Sequence, residues 1–160
     1  MTAVDDRPTV SPEIGRDRRR KEDQRLITGR TRWTDNIALP GMLHLAMVRS
    51  PHAHAKILSI DIEAADKSLN IYEVFTGEHL AETQGVIANA WPITPDQVTP
   101  THLPMATDRV AFAGEIVAVV VARSAARARD AAELIDVDYE VLPAALDLKE
   151  AAADTVLAHP

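Results

Sequence analysis

A chain of 160 residues, 46% of them hydrophobic, can bury one core holding about two thirds of the surface its unfolded form exposes, and it is too short for two full domains. The absence of cysteine excludes disulfides, thiolate nucleophiles and cysteine-held zinc or iron–sulfur clusters within this chain. The net charge of −7 is uneven, because Arg16 to Arg32 carries eight cations against three acids and leaves the remaining residues at −12.

Met1 to Ile14 has three acids, two prolines and few large apolar groups, too little to offset the entropy of ordering, so residues 1–15 are expected to be a flexible N-terminal tail. Its acids stand where a secretory signal would carry a basic and then an apolar region. No stretch approaches the ~20 apolar residues of a membrane span. A cytoplasmic location is expected, with no membrane partner. Residues 16–160 are expected to form a single domain with a basic N-terminal arm at 16–32. Within that arm, Asp17 or Asp23 could cap a short helix through Leu26 and Ile27 that Gly29 would stop. The run Arg18-Arg19-Arg20-Lys21 could neutralise phosphates. However, no aromatic residues are interleaved with it to stack on bases and the body is acidic, so no nucleic-acid partner is expected.

Asn36 to Gly41 has turn chemistry. Met42 to Arg49 then reads as a strand with Leu43, Leu45 and Met47 on one face, ended by Ser50-Pro51. Ala55 to Asp61 is a second strand, followed by a helical turn at Ile62 to Lys67. Ile71 to Thr76 is a third, followed by a short helix at Glu78 to Ala81. Thr83 to Thr107 contains Pro92, Pro95, Pro100 and Pro104 and no sustained period, so it reads as a long connection of the kind that is functional or partner-bound. Val110 to Phe112 is a short strand.

Ile116 to Ala122 is a continuous β-branched apolar run, the signature of a strand covered on both faces and hence of a sheet centre. Ser124 is placed as an N-cap. Ala125, Ala128, Ala132 and Ile135 recur at helical spacing with Ala131 on the same side, and Arg127, Arg129, Asp130 and Glu133 lie opposite, with Arg129 and Glu133 spaced for an i,i+4 pair. From Asp136 the period is two, with Val137, Tyr139 and Val141 on one face and Asp136, Asp138 and Glu140 on the other, until Leu142-Pro143. A dozen residues of crossover between two strands suits a right-handed parallel unit. Leu148 to Ala153 is a last helical turn. The fold class is α+β, a mixed β-sheet with a few packed helices.

Candidate chemistry is sparse. His52 and His54 share a face only on a strand and have no third ligand nearby, so polar contacts in a turn account for them better than a metal. Asp136, Asp138 and Glu140 read as an exposed strand face rather than a cation site. Gly114-Glu115 has no partner glycines for a phosphate cradle. No catalytic, cofactor-binding or metal residue is assigned.

Three stretches resemble the N-terminal α/β-hammerhead domain of the molybdenum-binding (large) subunit of the xanthine dehydrogenase, aldehyde oxidase and carbon monoxide dehydrogenase family. The first carries Arg19, Glu22, Asp23, Arg25, Thr28, Gly29, Asp35, Leu39, Pro40 and Gly41, then Arg49, Ser50, Ala53, His54, Ala55 and Ile57. The second carries Gly114, Glu115 and Val117, and the third Val137, Tyr139, Glu140, Leu142 and Pro143. Trp33 departs from the usual phenylalanine or tyrosine, Ile116 replaces a proline, and Asn70-Ile71 lacks the usual Pro-Gly-Val entry to the third strand. The resemblance implies an α/β-hammerhead fold and a non-catalytic domain or split small subunit of a molybdopterin-dependent hydroxylase or dehydrogenase, serving assembly and support. It places the molybdopterin (molybdenum cofactor) in the complete subunit, beyond this chain, and 2Fe-2S and FAD in partner subunits or domains. The implied partners are the remainder of the molybdenum-binding subunit and the iron–sulfur and FAD subunits. The alternative is an autonomous carrier-like binding module, since hammerhead motifs resemble biotinyl and lipoyl carriers, but no lysine-bearing hairpin tip is present and Lys56 falls in a predicted strand.

Overall fold

The computed structural model describes residues 15, 19–88, 91 and 93–159. The expected tail at Met1 to Ile14 and the candidate cap Asp17 lie outside the described residues. The chain divides into two compact units, Met1–Pro40 and Gly41–Pro160.

In the first unit, helix α1 (Asp23–Ile27) opens with the Asp23 carboxylate accepting from the Arg20 N–H at 3.0 Å. It closes as the sequence anticipates: Gly29 is left-handed, at φ +68°, its N–H bonds to the Leu26 carbonyl, and the Arg30 N–H reaches back to Arg25 at 3.0 Å. A 3₁₀ turn (Thr34–Asn36) follows, with Asn36 Oδ1 accepting from the Trp33 N–H at 3.0 Å.

The second unit holds two three-stranded antiparallel sheets. Strands β1 (His44–Arg49), β5 (Ile116–Ala122) and β3 (Ile71–Thr76) form one in the order β1-β5-β3, and β4 (Arg109–Val110), β2 (Ala55–Asp61) and β6 (Asp136–Val141) form the other in the order β4-β2-β6. The buried apolar run is central, as its composition requires. Helix α3 (Ala125–Ala132) lies on this first sheet with Ala128 and Ala131 buried, over Ala46, Val74, Val120 and Ala122. Alanines on both sides let helix and sheet approach closely. Ser124 Oγ caps the helix by accepting from the Arg127 N–H at 3.3 Å. The ionic contact on α3 is Arg127 with Asp130 at 3.9 Å, rather than the i,i+4 pair of Arg129 and Glu133.

The second cluster joins the sheets: Ala55, Ala106, Val110 and Val117 are buried together, with Val48, Ile57, Val137 and Tyr139 packed around them. Val110, Val117 and Val120 are fully buried, each contributing about 1.5–3 kcal/mol of transfer free energy.

Three expectations are corrected. The β5-α3-β6 segment is not a parallel unit, because both sides of β5 are taken by antiparallel β1 and β3, and α3 delivers the chain to the other sheet, where β6 pairs antiparallel with β2. Strand β1 begins at His44 instead of Met42, so Leu43 stands outside it, and the face carrying Leu45 and Met47 is open, 55% and 46% exposed, while Ala46 is buried beneath α3. Residues 77–83 form consecutive turns instead of a helix, the Thr76 N–H bonding to His79 Nδ1 at 3.2 Å as the chain leaves β3 (Ile71–Thr76). Short helices α2 (Glu63–Asp66) and α4 (Leu148–Ala152) complete the unit, the latter capped by Asp147 Oδ1, which accepts from Lys149 and Glu150.

Candidate functional site

Three stretches far apart in sequence converge at one corner of the second unit. At the end of β1, Arg49 Nη1 donates to the Gly114 carbonyl at 2.7 Å, and its Nη2 approaches Met47 Sδ at 3.1 Å. The next residue completes the tie, since the Ser50 N–H donates to the Glu115 carbonyl at 2.9 Å and the Gly114 N–H donates to the Ser50 carbonyl at 2.8 Å. Gly114 can close this turn because its φ of +92° is open to glycine and strained for side chains. The Glu115 side chain is buried, and its Oε2 accepts from the Ala111 N–H at 2.6 Å, holding the loop between β4 and β5.

The histidines divide. His54 is buried, with Nδ1 2.8 Å from the Pro143 carbonyl, while the Leu142 N–H donates to the His54 carbonyl at 2.9 Å. A carbonyl only accepts, so Nδ1 carries a proton, and Nε2 is shielded from solvent and has no hydrogen-bond partner among the described residues. His52 instead lies edge-on to Tyr139 with ring centroids 5.0 Å apart. Burial raises the Tyr139 phenol above its ordinary range, and a hydrogen bond with Ser50 partly offsets this. The two histidines thus serve different contacts and do not converge as metal ligands. Among the described residues, no group of three or more histidines and acids is placed to hold a metal ion.

Asp136, Asp138 and Glu140 line an exposed strand face, where Glu140 pairs across the ladder with Lys56 at 2.9 Å. Lys56 is therefore a strand residue with an ionic partner and not a hairpin-tip attachment site. A cleft of about 240 Å³ beside His54 is walled by Ala53, Ala111, Phe112, Ala113 and Ala144. A molybdopterin needs rows of hydrogen-bond donors for its pterin edge and phosphate, whereas this lining of alanine, phenylalanine and leucine offers no polar side chain besides His54. These residues do not fit that group, and no chemical step is assigned to them.

Sequence reasoning placed Arg49, Ser50, His54, Gly114, Glu115, Tyr139, Leu142 and Pro143 in separate matched stretches. What it missed is that they meet, since the pairing of one turn with another lies in tertiary contacts and leaves no local period. Asn70, noted as a departure before the third strand, takes the left-handed conformation at φ +67°, which asparagine tolerates better than most residues, and its carbonyl accepts from the Arg123 N–H at 3.1 Å.

Two small antiparallel sheets joined by a shared apolar cluster, the first of them covered by the alanine-faced α3, define a domain of the α/β-hammerhead class. Residues 28–143 match the family model of the aldehyde oxidase and xanthine dehydrogenase a/b hammerhead domain, and the chain belongs to that family. It is 37% identical over 150 residues to the 6-hydroxypseudooxynicotine dehydrogenase complex subunit gamma of Paenarthrobacter nicotinovorans, covering 92% of this chain and 19% of that protein. It is also 37% identical over 134 residues to the carbon monoxide dehydrogenase large chain of Afipia carboxidovorans, covering 84% of this chain and 16% of the relative. Quinoline 2-oxidoreductase from Pseudomonas putida 86 superposes with a TM-score of 0.79 at 43% identity, over 87% of this chain and 18% of that one. The chain thus spans less than a fifth of the length of these relatives. Among the described residues, no helix is long and apolar enough to cross a membrane.

Proposed function

We propose that this chain is the hammerhead part of a molybdenum hydroxylase or dehydrogenase and acts in assembly and support of the molybdenum-binding subunit, without redox chemistry of its own. The observation that carries the reading is the corner itself: Arg49, Ser50, His54, Gly114, Glu115 and Pro143 match the family pattern, and their groups are engaged in bonds that fix one turn against another. Residues so engaged hold a shape. The shape is unfinished, because Val86, Ile93 and Val98 in the connection and Leu45 on β1 are all more than half exposed. The partners on this reading are the remainder of the molybdenum-binding subunit and, through it, the iron–sulfur and FAD components. The molybdopterin belongs to the remainder, and the enzyme acts in the cytoplasm.

The test is to purify the chain alone and within the assembled enzyme, then measure molybdenum, pterin and dye-coupled oxidation in each. The chain alone is expected to hold no cofactor and turn over nothing, and to form a stoichiometric complex with the pterin-bearing portion. Stoichiometric molybdenum in the chain alone, or failure to form that complex, would overturn the proposal.

A further inference from the structure

A β-sheet edge offers a row of unpaired N–H and C=O groups, and stable soluble folds defend such edges by shortness, charge, bulges or a covering element. The two sheets have four edges, and three are defended. Strand β4 is two residues long. The edge strand β6 bears Asp136, Asp138 and Glu140 exposed to water. The edge strand β3 has a register break between Ile71 and Glu73, an exposed charge at Glu73, and α2 packed against it.

Strand β1 has α3 over its Ala46 face and none of the other defences along its centre. Leu45-Ala46-Met47-Val48 are four consecutive apolar residues without lysine or proline, and the single register shift falls at the Val48/Arg49 end. Leu45 and Met47 are about half exposed. Beside them a groove of about 430 Å³ is lined by Leu45 to Val48 on one wall and by Arg129 and Ala132 of α3 and the Glu133 that follows it on the other.

From this contrast we infer that the free edge of β1 is a strand-addition site, taking an extended segment with apolar side chains at every second position. The occupant is a segment of the remainder of the molybdenum-binding subunit, and in this the inference rests on the proposed function. Two observations select it over a second copy of this chain. The relatives carry more than four fifths of their length outside the region matched here, so a covering segment is available. Two copies would each bring a net charge of −7 to the same contact and repel. Main-chain bonds along β1 would supply the affinity, and Leu45 and Met47 the choice of apolar partner residues.

The test follows backbone hydrogen exchange at residues 44–49 in the chain alone and in the assembled enzyme. The outward-facing amides of β1 should slow by roughly 100-fold on assembly, while amides of β5, already paired on both sides, change little. Leu45→Lys places a charge on the open face and should weaken assembly about tenfold with the circular dichroism of the chain unchanged, whereas Leu58→Lys on the other sheet should have no effect. Formation of the complex with β1 exchange unchanged would remove the inference and leave the proposed function standing. Failure to form any complex would remove both. Protection of β1 that rises with concentration of the chain alone would assign the edge to a second copy and overturn the occupant named here.

Discussion

His54 Nδ1 reaches the Pro143 carbonyl at 2.8 Å across 89 positions of sequence, joining the turn before β2 to the end of β6. Replacing His54 by phenylalanine keeps an aromatic ring of similar breadth and leaves that carbonyl without its donor. The expected loss is about 1–3 kcal/mol in urea denaturation of the chain, the range for a buried polar group left unpaired. A loss below about 0.5 kcal/mol would show the bond to be incidental.

Gly77 and Gly114 should respond differently to alanine. A Cβ at Gly77 would stand 1.9 Å from the Ala106 carbonyl oxygen, a backbone atom that cannot swing aside, so Gly77→Ala should separate β3 from the Met105-Ala106 segment and cost several kcal/mol. At Gly114 no atom lies within 4 Å of the added methyl, and only the φ of +92° opposes it. The expected cost there is about 1–2 kcal/mol. Equal thermal shifts for the two variants would contradict the distinction between clash and strain.

The alanine stripe of α3 gives a graded series. Ala128 and Ala131 are each 1% exposed against the first sheet, while Ala132 is only half-buried at its edge. Arginine at 128 or 131 places a charge where no partner is within reach and should cost several kcal/mol. At 132 the side chain can bend toward water and the cost should be smaller. Chemical denaturation of the three variants decides this, and a surface-like effect at position 128 would refute the packing.

The stripe also shows what local sequence can and cannot carry. The helix, its serine cap and the buried strand before it are written in periods of three to four, a capping hydroxyl and a β-branched run, and each stands within a few residues of where the pattern put it. The alternation from Asp136 likewise marked a strand with one wet face. The assignment of that strand to a second sheet was not legible, because a period of two describes faces and not neighbours. The same limit left the open face of β1 unassigned, and the small Ala46 between Leu45 and Met47 is the residue that α3 covers. The corner that joins Arg49 to Gly114 and His54 to Pro143 depends on both sheets being assembled. It had no signal beyond the spacing of the matched stretches.

Tyr139 should give the second unit a sensitivity to alkali. Burial raises its phenol above the ordinary value of about 10, so the folded state holds the proton more tightly than the unfolded one. A raised pKa contributes stability that is present in full below the unfolded value and is lost as pH climbs through the folded one. Denaturation midpoints should therefore be insensitive to this residue up to about pH 10 and fall beyond it. Tyr139→Phe should flatten that alkaline fall. A variant that declines as steeply as the parent would place the effect on other groups.

The basic arm calls for a test of its own, because its eight cations outnumber the three acids in the same segment. Residues 16–32 hold +5, and in the described part Arg25 and Lys21 are exposed around a helix of one and a half turns with no buried residue. A helix so short gains little from its own hydrogen bonds, so packing against something else must fix it. The acidic remainder of the chain is one source of attraction and the rest of the molybdenum-binding subunit is another, and salt separates contributions to assembly from contributions to folding. Replacing Arg19, Arg20 and Lys21 by serine should slow assembly at low ionic strength, with the difference from the parent shrinking as salt is raised toward a Debye length of a few ångströms. The thermal unfolding of the second unit should stay where it was. Assembly rates that match the parent at every salt concentration would leave the arm a solvated segment, and a fall in stability without a change in rate would assign its charge to the fold instead of to the partner.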